Sequence, residues 1–144
     1  MSAVYIVACD GSSASERALQ LAIEQAKLTG ATLVCAHVLE WSPYSFLTPE
    51  ELEERHGRRK KELQRAQEAL VDPLMESVKN EGIDARAVIR YGHVTETLAE
   101  IAEQEGAAQI FIGRTGQTGF TRMIFGSVAA AMAQVAPVPC TIVP

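Results

Sequence analysis

Positive charge is in short supply. Thirteen Lys and Arg stand against eighteen Asp and Glu in 144 residues, for a formal net charge of −5 and an isoelectric point near 5.2. Nonspecific nucleic-acid binding needs a basic face, so a nucleic-acid partner is set aside. Cysteine is scarce as well. Cys9, Cys35 and Cys140 each sit in an apolar strand-like run, no CxxC occurs, and an odd count suits no disulfide framework. Buried free thiols are expected, and no His or Cys spacing suggests zinc. No apolar run approaches the roughly 20 residues needed to cross a bilayer. The N-terminus lacks a basic segment followed by an apolar signal core. A soluble cytoplasmic protein without membrane insertion is therefore expected. Three phosphate-binding patterns are missing too. There is no Gly-Lys pair, which removes the P-loop, and Gly11 is the single glycine of the first turn, which removes the Rossmann fingerprint. The pyrophosphatase-type loop, with adjacent serine and two glycines after the first strand, is also absent. No Gly-x-Ser-x-Gly elbow surrounds any serine.

What remains is ordinary globular composition, 47% apolar and 22% charged, and the length suits one domain over residues 1–144. Val4 to Cys9 is a continuous apolar run that suits a central parallel strand. Asp10-Gly11-Ser12-Ser13 turns the chain. Ser13 and Glu16 then have capping-box spacing before a helix along Ala14, Ala18, Leu21, Ala22, Gln25 and Ala26, which Gly30 ends. Ala31 to Leu39 reads as the second strand. After an aromatic loop, Thr48-Pro49 opens a charged helix to about Asn80, with Leu63, Ala66, Leu70, Leu74 and Val78 as its buried stripe and Pro73 kinking or dividing it. Its basic cluster Arg58 to Lys61 lies near Glu53, Glu54 and Glu62, and a solvated, ion-paired face is expected. Asp84 to Arg90 is the third strand, Val94 to Glu105 the next helix, and Ala107 to Ile112 the fourth strand. A last helix starts at Ser127, and Val138 to Val143 is the fifth strand.

This alternation predicts an α/β fold: a single doubly wound five-stranded parallel sheet with helices on both faces, in strand order 3-2-1-4-5. Ligands of such sheets sit beyond the carboxyl ends of the strands, where the winding reverses. The stretch best suited to that place runs from Ile110 to Val128. It leads from an apolar strand through four glycines to Gly126-Ser127 at a helix start. Glycine lets a ligand approach the backbone closely, and a helix N-terminus offers unpaired N–H groups to an anion. A phosphate cradle is the reading from the residues alone.

The spacing Gly113-x2-Gly116-x9-Gly126-Ser127 resembles the ATP-binding branch of the universal stress protein family. The resemblance covers nearly the whole chain, including Asp10 at the end of the first strand, the His37-Val38 pair and the Gly92 turn. It implies that Gly113 lies against a ribose, and that Gly116, Gly126, Ser127 and Val128 present N–H groups to phosphates. It implies adenine contact at the Val38 backbone, and a ribose or magnesium role for Asp10 beside Gly11. Many relatives have Ser-His where this chain has Arg114-Thr115. Arg114 and Arg122 are the only cations of the loop, either one able to meet a phosphate or to face solvent. The cofactors implied are ATP and magnesium, and the function is that of a regulatory, stress-response protein whose conformation or assembly follows ATP-Mg. Hydrolysis should be slow or absent, because no residue is clearly placed to activate water and no lysine meets the γ-phosphate. The rivals are a slow ATPase or nucleotidyl-transfer enzyme in the same crevice, with Asp10 and Arg114 as its candidates, and a nucleotide-free interaction module. Homodimers are expected through the apolar strand Cys140, Thr141, Ile142 and Val143. Some family members regulate membrane transporters, so the resemblance also allows a transporter as partner.

Overall fold

In a computed structural model of the chain, residues 2–40, 48–115 and 127–144 are described. Strands β1 (Val4–Ala8), β2 (Thr32–Glu40), β3 (Ala85–Gly92), β4 (Gln109–Gly113) and β5 (Cys140–Val143) form one sheet, all parallel, in the order β3-β2-β1-β4-β5. This is the expected topology. The winding reverses between β1 and β4, which pair from Tyr5↔Gln109 to Val7↔Phe111.

Alternation along the central strands divides the core into two layers, because successive side chains leave opposite faces. Tyr5 and Val7 of β1 face helix α1 (Ser13–Thr29) together with Leu33, Cys35 and Phe111, and meet Ala18, Leu19, Ala22, Ile23 and Ala26. Ile6 points the other way with Val34, Ile110 and Ile112, toward Leu98, Ile101 and Ala102 of α4 (Val94–Gln104) and Met132 of α5 (Ser127–Val135). The Tyr5 and Phe111 rings pack tilted at 60°, with centroids 5.4 Å apart.

Helix boundaries follow local chemistry, with one shift. The cap of α1 is Ser12, not Ser13: the Ser12 hydroxyl accepts from the Ser15 N–H at 3.1 Å, which puts Ser15 and not Glu16 at the position a capping box requires. Asp10 decides this, since its carboxylate takes the Ser12 N–H at 2.9 Å and closes the turn one residue earlier. Leu19 and Ile23, rather than Leu21 and Gln25, complete the buried stripe. At the other end Gly30 adopts φ 74° and donates to the Ala26 carbonyl, as a left-handed cap should.

The charged helix is divided. α2 (Pro49–Ala66) starts at the Thr48 cap, and α3 (Asp72–Asn80) carries Pro73 in its first turn. Between them Gln67–Val71 forms a π turn, closed by the Asp72 N–H on the Gln67 carbonyl. Pro73 has no N–H to give the carbonyl four residues back, and the wider turn inserts a residue ahead of it. That residue rotates the apolar stripe. Val78 is fully buried and Leu74 packs on the core, yet Leu63, expected in the same stripe, is 40% exposed. No residue of α2 is fully buried. The helix is fastened to the sheet at Tyr91, whose hydroxyl donates to the Arg59 carbonyl at 2.9 Å and whose ring lies under the Arg59 guanidinium at 5.5 Å. Glu62 sits 3.1 Å from the same hydroxyl, and burial followed by Glu62 raises the Tyr91 pKa. Arg58, Lys60 and Lys61 of the basic cluster are exposed, as a solvated face requires, while Arg59 is half-buried over Tyr91 and Glu62 turns to the Tyr91 hydroxyl.

Gly57 stands in the middle of this exposed helix, with nothing of its own chain within 4 Å of where a Cβ would lie. Gly57→Ala is expected to stabilise the fold by about 0.5–1 kcal/mol. Thermal unfolding followed by circular dichroism should show a midpoint higher by roughly 2–4 °C.

Candidate functional site

A cavity of about 270 Å³ opens where the winding reverses. Its floor is apolar: Ala36 and Val38 of β2, Ile112 of β4, Val94 and Leu98 from the first turns of α4, and Ala129 of α5. Its rim is polar, with Asp10, Ser12, Glu40, Arg114, Thr115 and Ser127. Apolar walls with a few convergent polar groups are what a small-molecule site requires.

Each rim group is placed by an element end. Asp10 follows β1 and is exposed. One of its carboxylate oxygens accepts from Ser12 N–H in the turn, and a carboxylate has capacity for further partners. Ser127 and Val128 are the first residues of α5 and line the cavity, so the end of that helix whose N–H groups lack intrahelical partners, and which carries its partial positive charge, borders the site. Arg114 follows β4, its own N–H donating to the Val143 carbonyl at 2.7 Å, and its side chain is exposed. It is the only cation among the described lining residues, against the carboxylates of Asp10 and Glu40.

Of the residues singled out in the sequence, Asp10, Val38, Gly113, Arg114, Ser127 and Val128 all line this cavity. Gly11 does not. It adopts φ 81° and borders a separate cavity of about 260 Å³ between α1 and the π turn, with Leu19, Leu70, Pro73 and Leu74. Gly116, Arg122 and Gly126 lie outside the described residues. Position 113 also needs glycine for packing. A Cβ there would come within 2.7 Å of Ala14 Cβ and 2.8 Å of the Ala14 backbone carbon, so the missing side chain first serves the close approach of β4 to the start of α1. The reading from sequence missed Glu40, Val94 and Leu98. Glu40 closes β2, one residue beyond the expected end of that strand at Leu39. Val94 and Leu98 lie in the first turns of α4, and only the position of that helix over the strand ends makes them cavity walls.

The other titratable groups nearby are structural. His37 Nδ1 donates to the Cys9 carbonyl at 2.6 Å, which pins the exits of β1 and β2 together. The Cys9 thiol is held well above its ordinary range by its hydrogen bond with Cys35, by burial and by the nearby Asp10 carboxylate, while the same hydrogen bond lowers Cys35. All three cysteines are free, Cys9 and Cys35 buried and Cys140 half-buried. Among the described residues no group of three or more His, Cys, Asp or Glu could hold a metal ion by itself. No described helix is long and apolar enough to cross a membrane.

The fold agrees with the outcome of comparison with known proteins. Residues 4–144 match the model of the universal stress protein family. The chain belongs to that family. Among curated relatives, the universal stress protein MJ0531 of Methanocaldococcus jannaschii is 30% identical over 138 residues, covering 96% of this chain and 79% of that protein. Among solved structures, the universal stress protein UspA from Lactobacillus plantarum superposes with a TM-score of 0.86 at 23% identity, over 99% of this chain and 97% of that one. A universal stress protein of Archaeoglobus fulgidus solved in complex with dAMP gives a TM-score of 0.64 at 22% identity, over 100% of this chain and 98% of that one. Another solved in complex with cAMP gives 0.70 at 21%, over 99% and 97%. At these identities the structural matches speak for the fold. This universal stress protein thus has the sheet order of its family and an open cavity at its switch point.

Proposed function

We propose that this protein binds ATP with magnesium in the switch-point cavity, and that binding regulates its conformation or assembly. The observation that carries the reading is the convergence of the α5 N-terminus at Ser127 and Val128 with Asp10 and the Gly113-Arg114 exit on one apolar-floored cavity. The floor suits a nucleoside base and sugar, and the helix N-terminus suits phosphates. The adenine nucleotides held by two proteins of the same fold support the class of ligand.

Magnesium fits the donor set in a particular way. Mg²⁺ keeps several waters and is commonly held by one or two carboxylates together with substrate phosphates. Asp10 and Glu40 are the carboxylates on the cavity rim, and with Arg114 as the only described lining cation they would otherwise repel a triphosphate. Asp10 is the residue proposed to hold the ion. When bound, magnesium would neutralise phosphate charge. The chain's own part is to bind and orient: Val38 and Leu98 exclude water from one side of the ligand, Ser127 and the α5 N–H groups meet the anion, and Arg114 counters its charge from the rim. No lysine is among the described lining residues, and the role proposed is binding, with hydrolysis slow or absent.

Self-association through β5 belongs to the same reading. Cys140, Thr141, Ile142 and Val143 are each half-buried and form the edge of the sheet, paired on one side with β4. An edge of this kind offers its outer ladder groups to a second copy.

Equilibrium dialysis of labelled ATP with and without magnesium tests the binding. A dissociation constant below about 1 mM, or about −4.1 kcal/mol, is expected with magnesium and weaker binding without it. Equal affinity in both arms would remove the metal, and no binding in either would remove the function. Size-exclusion mass with and without ATP reads the assembly.

A further inference from the structure

Neither the cavity nor the core uses the outward face of α2. On a helix, positions three, four and seven residues to either side of a given residue share its face. Around Gly57 those positions hold Glu50, Glu53 and Glu54 before it and Lys60, Lys61 and Gln64 after it. All are exposed, while the half-buried side of the helix carries Arg55, Arg59 and Ala66. Among the described residues, Glu53, Glu54, Lys60 and Lys61 make no ion pair.

The pattern is its own inverse about Gly57, with acids on one side and bases at equal distances on the other. We propose that this face binds the same face of a second copy, with the two α2 helices antiparallel and the two-fold axis at Gly57. Glu53 then meets Lys61 of the second copy, Glu54 meets Lys60, and Glu50 lies opposite Gln64. Two-fold symmetry forms each contact twice. Glycine, a poor helix former, stands at the crossing point with open space where its side chain would be, and two backbones can approach there as closely as helix packing allows. A nucleic acid or an anionic membrane fits this surface less well, because the glutamates share the face with the lysines. The contact is separate from the β5 edge. α2 is fastened to β3, at the opposite side of the sheet, so both contacts can form in one assembly.

Pairing of exposed charges is weak and sensitive to salt, since the Debye length falls from about 10 Å at 0.1 M ionic strength to about 3 Å at 1 M. The test therefore reads proximity directly. Gly57→Cys is introduced into three chains: the parent, a Glu53→Lys/Glu54→Lys chain and a Lys60→Glu/Lys61→Glu chain. The parent without Gly57→Cys measures any linking through Cys140 or the β5 edge. At low ionic strength the parent with the introduced thiol is expected to form a disulfide-linked dimer on mild oxidation. Each reversed chain alone should do so at least tenfold more slowly, and an equimolar mixture of the two should recover the parental rate as the mixed dimer. Reversal moves the net charge by four from −5, to −1 and −9, so both reversed chains remain negative and their pairing reports the face rather than overall attraction. Far-UV dichroism checks that α2 stays helical in each. Equal rates in all chains, or a mixture that links no faster than its components, would overturn the proposal. The outcome is independent of whether ATP binds or β5 pairs.

Discussion

Ser127→Asp is expected to abolish ATP binding, with a loss of affinity of at least about 100-fold, while leaving the fold intact or slightly more stable. The two effects separate because they answer to the same local charge with opposite sign. Ser127 is the first residue of α5, is exposed, and lines the cavity. A carboxylate in the first turn of a helix is favourable by about 0.3–1 kcal/mol through the unpaired N–H groups and the helix dipole. The same carboxylate occupies the place proposed for phosphate and repels it, and a 100-fold loss corresponds to about 2.7 kcal/mol. Dialysis gives the affinity and thermal unfolding gives the stability. A variant that still binds ATP within a few-fold of the parent would place the phosphates elsewhere. A variant that loses binding and melts early would show only damage to the fold.

Gly113→Ala is expected to have the larger effect on stability. The added carbon would lie 2.7 Å from Ala14 Cβ, 2.8 Å from the Ala14 backbone carbon and 3.0 Å from the Ser15 nitrogen. Two of these are backbone atoms of the first turn of α1, so no side-chain rotation can relieve the contact. Either α1 or the end of β4 must move. Overpacking of this kind costs about 1–3 kcal/mol, and the midpoint should fall by roughly 3–12 °C for a domain of this size. Because Ser15 and Gly113 both line the cavity, ATP affinity should fall with it. Gly30→Ala is the control. It places a side chain at φ 74° with nothing within 4 Å, so it carries backbone strain but no clash, and it lies at the far end of α1. Its affinity for ATP should be unchanged. If Gly113→Ala melts no lower than the parent, the close approach of β4 to α1 is not what the glycine serves.

The α2 face and the switch-point cavity divide the surface of this universal stress protein into two charge regimes. At the cavity, Asp10, Glu40 and Arg114 are the charged groups among the described lining residues, and the proposed nucleotide and magnesium would complete their balance. On α2, acids and lysines balance only across a two-fold axis. The negative net charge of the chain does not distinguish these, since both depend on where a few residues lie along a helix or at a strand end.

The sequence alone determined the order of elements and the sheet topology. Continuous apolar runs such as Val4 to Cys9 can be buried on both faces only in a parallel sheet, and alternation with helices then leaves few right-handed windings. It also marked Asp10, Gly113 and Ser127, which line the switch-point cavity, because each carries turn or helix-start chemistry next to a strand. Tertiary structure alone decided the rest. Which wall Val94 and Leu98 form depends on where α4 crosses the sheet, and no local pattern encodes that. Gly11 and Asp10 are neighbours in sequence but border different cavities, since the turn between them directs adjacent residues to opposite faces of the sheet. The exposure of Leu63 follows from a π turn that one proline imposes several residues further on, and it breaks a periodicity that assumes a uniform helix. The need for glycine at position 113 comes from Ala14, about a hundred residues earlier in the chain and, across the sheet, within 3 Å of where its side chain would be.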